Sequence, residues 1–234
     1  LKQIAALAHF QATPRFATTR LGAAALLVLT LLVVIAFPAA SRAAQPARAT
    51  VMVFGDSLSA AYGLRAGEGW VELMAQRLAP RETAVVNASI SGETTSGGLR
   101  RIKADLVRHK PSIVVVALGA NDGLRGLPVA QTRQNLELIL DQIRQRGAKA
   151  VLVGIQIPPN YGLQYANDFK NVFAQLAAER KLLLVPFLLD GIAEDLDNFQ
   201  PDRLHPIAAT QPRVLQNVLP IVERALPKPQ PASR

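Results

Sequence analysis

From Thr50 onward the chain alternates short apolar runs with longer amphipathic stretches. The runs are TVMVF (50–54), TAVVNAS (83–89), SIVVVALG (112–119), KAVLVGIQ (149–156) and LLLVPF (182–187). They are rich in valine and isoleucine and apolar on successive residues, the pattern of strands buried on both faces. Between and after them, helical periodicity predicts helices around 69–79, 97–109, 129–146, 164–180 and 208–225. In QTRQNLELILDQIRQRG, Leu136, Ile139, Leu140 and Ile143 share one helical face, and Gly147 ends the element. Strand and helix in repeated alternation predict an α/β fold, a parallel sheet covered by helices on both sides. No internal repeat and no linker divides 50–226, so one domain is expected there. The tail 227–234, PKPQPASR, is proline-rich and polar and is expected to fray.

The N-terminal stretch follows a different pattern. Lys2, Arg15 and Arg20 precede Leu21 to Phe37, which carries no charge, and small residues such as Ser41, Ala43, Ala47 and Ala49 follow. A basic head, an apolar middle and a small-residue exit predict a signal peptide over 1–43. That places the mature protein in the periplasm or outside the cell, starting around Ala40 to Thr50. The apolar run also approaches the length of a membrane span, so an uncleaved anchor is the alternative.

Composition narrows the choice of function. A chain of 234 residues, half of them apolar, can build one substantial core. It has no cysteine, which excludes disulfides and thiolate metal sites. The formal charge of +9 includes Lys2, Arg15, Arg20 and Arg42; without 1–43 it is 22 basic against 17 acidic residues, or +5. That modest excess reads as solvated helix surface, and aromatic residues are too few for a base-stacking platform, so no nucleic-acid partner is expected. Weak attraction to membrane lipid head groups stays open, and a monomer is expected.

In a parallel α/β sheet, ligands sit at the carboxyl ends of the strands. The polar content concentrates in the loops expected there: Gly55-Asp56-Ser57-Leu58, Ser91-Gly92-Glu93-Thr94-Thr95, Gly119-Ala120-Asn121-Asp122-Gly123 and, ahead of the last helix, Asp202-Arg203-Leu204-His205-Pro206. Each has a plainer reading. Ser57 could cap a helix, Gly92 could be a turn glycine, Asn121 an Asx-turn residue, and Asp202 with His205 a surface pair. Of the three histidines, His9 lies in the signal segment and His109 at the polar end of a helix. If Ser57 is a nucleophile with a histidine base, the base is His205.

The residue types suit that chemistry. A serine hydroxyl needs an imidazole to accept its proton, and the imidazole needs a carboxylate on its other nitrogen, which Asp202 can supply. A tetrahedral oxyanion needs donors: the backbone N–H groups of Ser57 and Gly92 and the side-chain amide of Asn121. Leu124, Leu127, Ile157, Tyr161 and Leu163, on the loops after the third and fourth strands, are expected to form an apolar groove for an acyl or aryl group. No metal or other cofactor is expected, because one usable histidine cannot build the usual imidazole site.

The blocks GDSLS, SGETT, GAND and DRLHP, in this order, resemble the four conserved blocks of the SGNH (GDSL) hydrolase family. Ser57, Gly92, Asn121 and His205 stand at its four signature positions. The stretches VVNASISGETTSGGL, LGANDGLRGLP and IPPNYGLQY are similar to its bacterial periplasmic members of thioesterase, arylesterase and lysophospholipase type. The resemblance covers roughly Thr50 to Leu226. It implies the flavodoxin-like three-layer sandwich with a five-stranded parallel sheet (the SGNH hydrolase fold), and a serine esterase acting on small-molecule esters or thioesters through an acyl-enzyme on Ser57. Asp56 is expected to support the turn rather than serve as the triad acid. The arginine after Asp202 and the segment LLDGIAEDLDNFQPDRLHP depart from the family pattern, which leaves the substrate mouth open. The alternatives are a carbohydrate O-acetylesterase of the same family and, more distantly, a non-catalytic flavodoxin-like binding module. The latter lacks the glycine-rich phosphate loop it would need. A serine peptidase could use the same triad, but no groove for a substrate strand is apparent.

Overall fold

The computed structural model describes residues 49–227. The expected signal segment and all of the expected tail beyond Pro227 lie outside the described residues. Five strands, β1 (Ala49–Gly55), β2 (Thr83–Asn87), β3 (Ile113–Ala117), β4 (Lys149–Val153) and β5 (Leu183–Val185), form one sheet in the order β2-β1-β3-β4-β5. Every pairing is parallel, with Val51 opposite Val85 and Ile113, Val115 opposite Val151, and Val153 opposite Val185.

The continuous apolar runs are explained by burial on both faces. Val51 to Phe54 and Val114 to Val116 are wholly inaccessible to solvent. The helices are α1 (Trp70–Leu78), α2 (Thr95–His109), α3 (Ala120–Leu124), α4 (Val129–Gln145), α5 (Leu163–Arg180) and α6 (Gln211–Ala225). Helices α2, α4 and α5 pack in succession, and α1 packs on α6, giving a helical layer on each side of the sheet. The stripe read from sequence is the buried face of α4: Leu136, Ile139, Leu140 and Ile143 all reach the core.

Three local differences bear on function. The ladders of β2 to β5 stop before the apolar runs do, because the last residues of each run leave the sheet and build the loops above it. The short helix α3 has no amphipathic period to betray it, since five residues make little more than one turn. The last helix begins at Gln211 rather than 208, with a 3₁₀ turn at Ala208–Thr210 ahead of it. The strand order reverses between β1 and β3, so the loops after them diverge and leave a crevice at their carboxyl ends.

Candidate active site

Gly55 closes β1 where the backbone must pass very near β3. A Cβ there would lie 2.7 Å from the Ser59 hydroxyl oxygen and 3.0 Å from the Ala117 carbonyl. The chain then folds into tight turns: the Asp56 carbonyl accepts from the amides of Ser59 (3.1 Å) and Ala60 (2.9 Å). The Asp56 side chain accepts from the Leu58 amide at 3.0 Å. No helix starts until Trp70, so Ser57 caps nothing. Asp56 is fully buried, and burial pushes its pKa up to about 7. The nearby Asp122 adds to that rise, while hydrogen bonds from the Leu58 amide and Asn121 oppose it.

Above this turn the hydroxyl of Ser57 meets Nε2 of His205 at 2.8 Å. The other ring nitrogen, Nδ1, lies 2.7 Å from Oδ2 of Asp202. The remaining oxygen of Asp202 accepts from the amides of Leu204 (2.9 Å) and His205 (3.0 Å), which ties the carboxylate and the imidazole into one turn. Partial burial pushes the Asp202 carboxyl up. The His205 amide and ring and the Leu204 amide together outweigh that and hold it at about 2. Asp202 is therefore ionised at neutral pH, and a carboxylate facing Nδ1 favours the tautomer with its proton there. Nε2 is then the free base toward Ser57.

The loops after β2 and β3 bring Gly92 and Asn121 to the same cavity as Ser57 and His205. Gly92 sits at φ +77°, and a Cβ would find its nearest neighbour only at 4.0 Å. The backbone angle, not crowding, calls for glycine here. Asn121 donates an amide hydrogen to the Glu93 carbonyl at 3.0 Å.

A buried polar network, not visible in the sequence pattern, locks these two loops together. The Asp122 carboxylate accepts from the backbone amide of Thr95 (2.9 Å) and from the Thr95 hydroxyl. Asn135 of α4 in turn donates to the Thr95 hydroxyl at 3.0 Å. Asp122, Thr95, Thr132 and Asn135 are all buried. The only sequence signal was that Asp122 follows Asn121 in one polar block.

The cavity measures about 580 Å³, a size suited to a small organic ligand. Of the five apolar residues expected to form the groove, Leu124 and Ile157 line it. Leu127, Tyr161 and Leu163 do not, and the expectation is corrected for them. The chain turns away at Pro158–Pro159, which leaves Tyr161 in a 3₁₀ turn at the surface and Leu163, 71% exposed, at the start of α5. Leu127 is half-buried, and its carbonyl accepts from the Tyr165 hydroxyl at 2.7 Å. The apolar wall comes instead from Ile155, Phe187, Leu189, Leu196 and Phe199, most of them on the segment after β5. Tyr62, also overlooked from sequence, lines the cavity beside His205, and its carbonyl accepts from the Gln200 side chain at 2.8 Å. Among the described residues, no group of three or more His, Cys, Asp or Glu side chains converges as a metal site would require.

Known proteins resemble this chain in sequence and fold. The family described as GDSL-like Lipase/Acylhydrolase matches residues 53–211. Esterase TesA of Pseudomonas aeruginosa is 48% identical over 184 residues, covering 78% of this chain and 92% of that one. The Escherichia coli protein named Thioesterase 1/protease 1/lysophospholipase L1 is 40% identical over 163 residues, 70% of this chain and 78% of the relative. A crystal structure of the psychrotrophic esterase EstA from Pseudoalteromonas sp., inhibited by monoethylphosphonate, superimposes with a TM-score of 0.72 at 39% identity. It covers 75% of this chain and 97% of its own.

Proposed function

Because this chain belongs to the GDSL-like lipase/acylhydrolase family, we propose that it hydrolyses carboxylic esters and thioesters through an acyl-enzyme on Ser57. The observation that carries the reading is the chain of hydrogen bonds from the Ser57 hydroxyl through both nitrogens of His205 to Asp202. As Oγ attacks the carbonyl carbon, Nε2 of His205 takes its proton, and Asp202 stabilises the imidazolium that forms. The carbonyl π electrons move onto oxygen, where the N–H groups of Ser57 and Gly92 and the Asn121 amide receive the charge. The tetrahedral species collapses, the C–O or C–S bond breaks, and His205 returns the proton to the leaving alcohol or thiol. Water then repeats the sequence on the acyl-enzyme: His205 removes its proton, the carboxylic acid leaves, and Ser57 regains its hydrogen.

The apolar wall supports an acyl or aryl group as the buried part of the substrate. Aryl esters, acyl-CoA thioesters and lysophospholipids are the classes that fit. Each buried methylene contributes about 0.8 kcal/mol, so activity rises with acyl length until the wall is covered. A chain-length series of p-nitrophenyl esters tests this. A preference for acetate that falls steeply from butyrate onward would favour the carbohydrate O-acetylesterase reading.

The nucleophile is tested with an organophosphonate probe and mass spectrometry. One adduct is expected on the peptide containing Ser57, and Ser57→Ala should lose both the label and turnover. A fully active Ser57→Ala protein would remove Ser57 from the mechanism. The N-terminal pattern supports export to the periplasm or beyond, with a mature start around Ala40 to Thr50; N-terminal sequencing of exported protein checks it. No partner beyond the small-molecule substrate is proposed, and the protein acts as a monomer, which sedimentation would test.

A further inference from the structure

Apart from His205, two ionisable side chains with a formal charge at neutral pH border the cavity, Glu194 and Arg203. Among the described residues neither has a hydrogen-bond or ion-pair partner for its side chain. Arg203 stands between Asp202 and His205, yet it does not neutralise Asp202, whose oxygens are taken by Leu204 and His205. Its backbone lies at φ +57°, in the left-handed region that disfavours any side chain and that glycine enters freely. The turn it closes needs only its amide, which donates to the Gln200 carbonyl at 2.8 Å. Folding therefore gives no reason for a long cationic side chain at this position. The residue is exposed and lines the cavity.

A second guanidinium bonds to a residue that lines the cavity, Gly92. Arg125 is exposed and donates through Nη2 to the Gly92 carbonyl at 3.1 Å, beside the proposed oxyanion donors. The apolar wall, from Ile155 and Ile157 to Phe187 and Phe199, suits the acyl chain, so the leaving group is directed toward the polar rim. Of the two charged side chains that line the cavity, Glu194 disfavours an anion and Arg203 favours one.

We propose that Arg203 selects substrates whose alcohol or thiol leaving group carries phosphate. This rests on the esterase reading above and names the residue that biases the same site. The planar guanidinium fork matches phosphate oxygens in a way a point charge does not. Two sources share this chemistry: the phosphodiester of a lysophospholipid and the phosphates of a CoA thioester.

The test compares substrates with one acyl chain: octanoyl-CoA, 1-octanoyl lysophosphatidylcholine, and the neutral mono-octanoyl glycerol and p-nitrophenyl octanoate. In Arg203→Gly, which also relieves the backbone, kcat/KM for the phosphate-bearing substrates relative to the neutral ones should fall about tenfold. The fall should come mainly through KM, be smaller at high salt, and recover only in part in Arg203→Lys, which restores the charge without the fork. A response confined to the CoA ester or to the lysophospholipid identifies the source. An unchanged ratio, or an equal loss on all four substrates, would overturn the role of Arg203. If the unaltered protein turned over none of the four, the esterase reading itself would fail, which is a different result.

Discussion

The ring of Tyr62 lies against the imidazole of His205, with centroids 4.5 Å apart and planes tilted by 39°. Tyr62 comes from the turn after β1 and His205 from the loop before α6, so the contact joins the two halves of the proposed catalytic machinery. An aromatic face stabilises a neighbouring cation, and an imidazolium is what His205 becomes when it takes the Ser57 proton. At a partly exposed site that is worth about 0.5–1 kcal/mol. Tyr62→Ala should therefore lower kcat by roughly two- to fivefold, and Tyr62→Phe, which keeps the ring, should remain near the starting value. Steady-state kinetics on one p-nitrophenyl ester decides it; equal losses in the two variants would point to the hydroxyl instead.

Asn121 is the side-chain donor of the proposed oxyanion hole, and one of its hydrogens is already committed to the Glu93 carbonyl. Losing such a donor costs about 2.7–4 kcal/mol of transition-state stabilisation. Asn121→Ala should reduce kcat roughly 10²–10³-fold with KM little changed. A change confined to KM would make Asn121 a ground-state binding residue.

His205→Ala should abolish most turnover, while His109→Ala should not. His109 ends α2 and is not among the residues that line the cavity. Parallel kinetics on the two variants checks the pairing of Ser57 with His205, and the reverse outcome would move the base elsewhere.

Asp56 makes stability depend on pH in a direction opposite to most carboxylates. Its pKa rises from 3.8 to about 7 on folding, chiefly because it is buried. The folded state thus prefers the protonated form. The contribution is complete below about pH 4 and is lost as pH rises through about 7, on the order of 2–4 kcal/mol in all. Urea unfolding at pH 5 and pH 8 should show that decline in the unaltered protein. Asp56→Asn, which retains an acceptor for the Leu58 amide, should flatten it. Asp202, whose carboxyl is held down at about 2, weakens the fold only as pH falls below 4 toward that value.

The carboxylate of Asp122 holds the start of α2 through the amide and hydroxyl of Thr95. Asp122→Ala would leave two buried donors unmet, each costing about 1–3 kcal/mol. Urea unfolding should show a loss of several kcal/mol. Thr132→Val, which removes only the long contact of 3.5 Å to Asp122, should cost far less. Comparable losses in the two would mean that the network acts through packing rather than through the Thr95 bonds.

The amino-acid sequence by itself determined the parallel sheet and its helices. A strand buried on both faces must be apolar at every position, and a helix packed on it must be apolar on one stripe, so both leave a local trace. It also determined the pairing of Asp202 with His205, because three residues of chain suffice to join a carboxylate to the nearer ring nitrogen and that spacing is written in one loop. Only the tertiary structure decided the rest. The hydrogen bond from Ser57 to His205 spans 148 residues and exists because the strand order brings the end of β1 beside the loop before α6. The apolar wall could not be read from Leu127, Tyr161 and Leu163, since hydrophobicity says that a side chain seeks cover but not which way its loop turns. Pro158–Pro159 turns that loop outward, and Phe187, Leu196 and Phe199, from a segment without helical or strand period, take the place by the cavity. Arg203 and the Thr95–Asp122 network were hidden for the same reason: a charge or a buried hydrogen bond gains its meaning from neighbours that are distant in the chain, and folding alone supplies them.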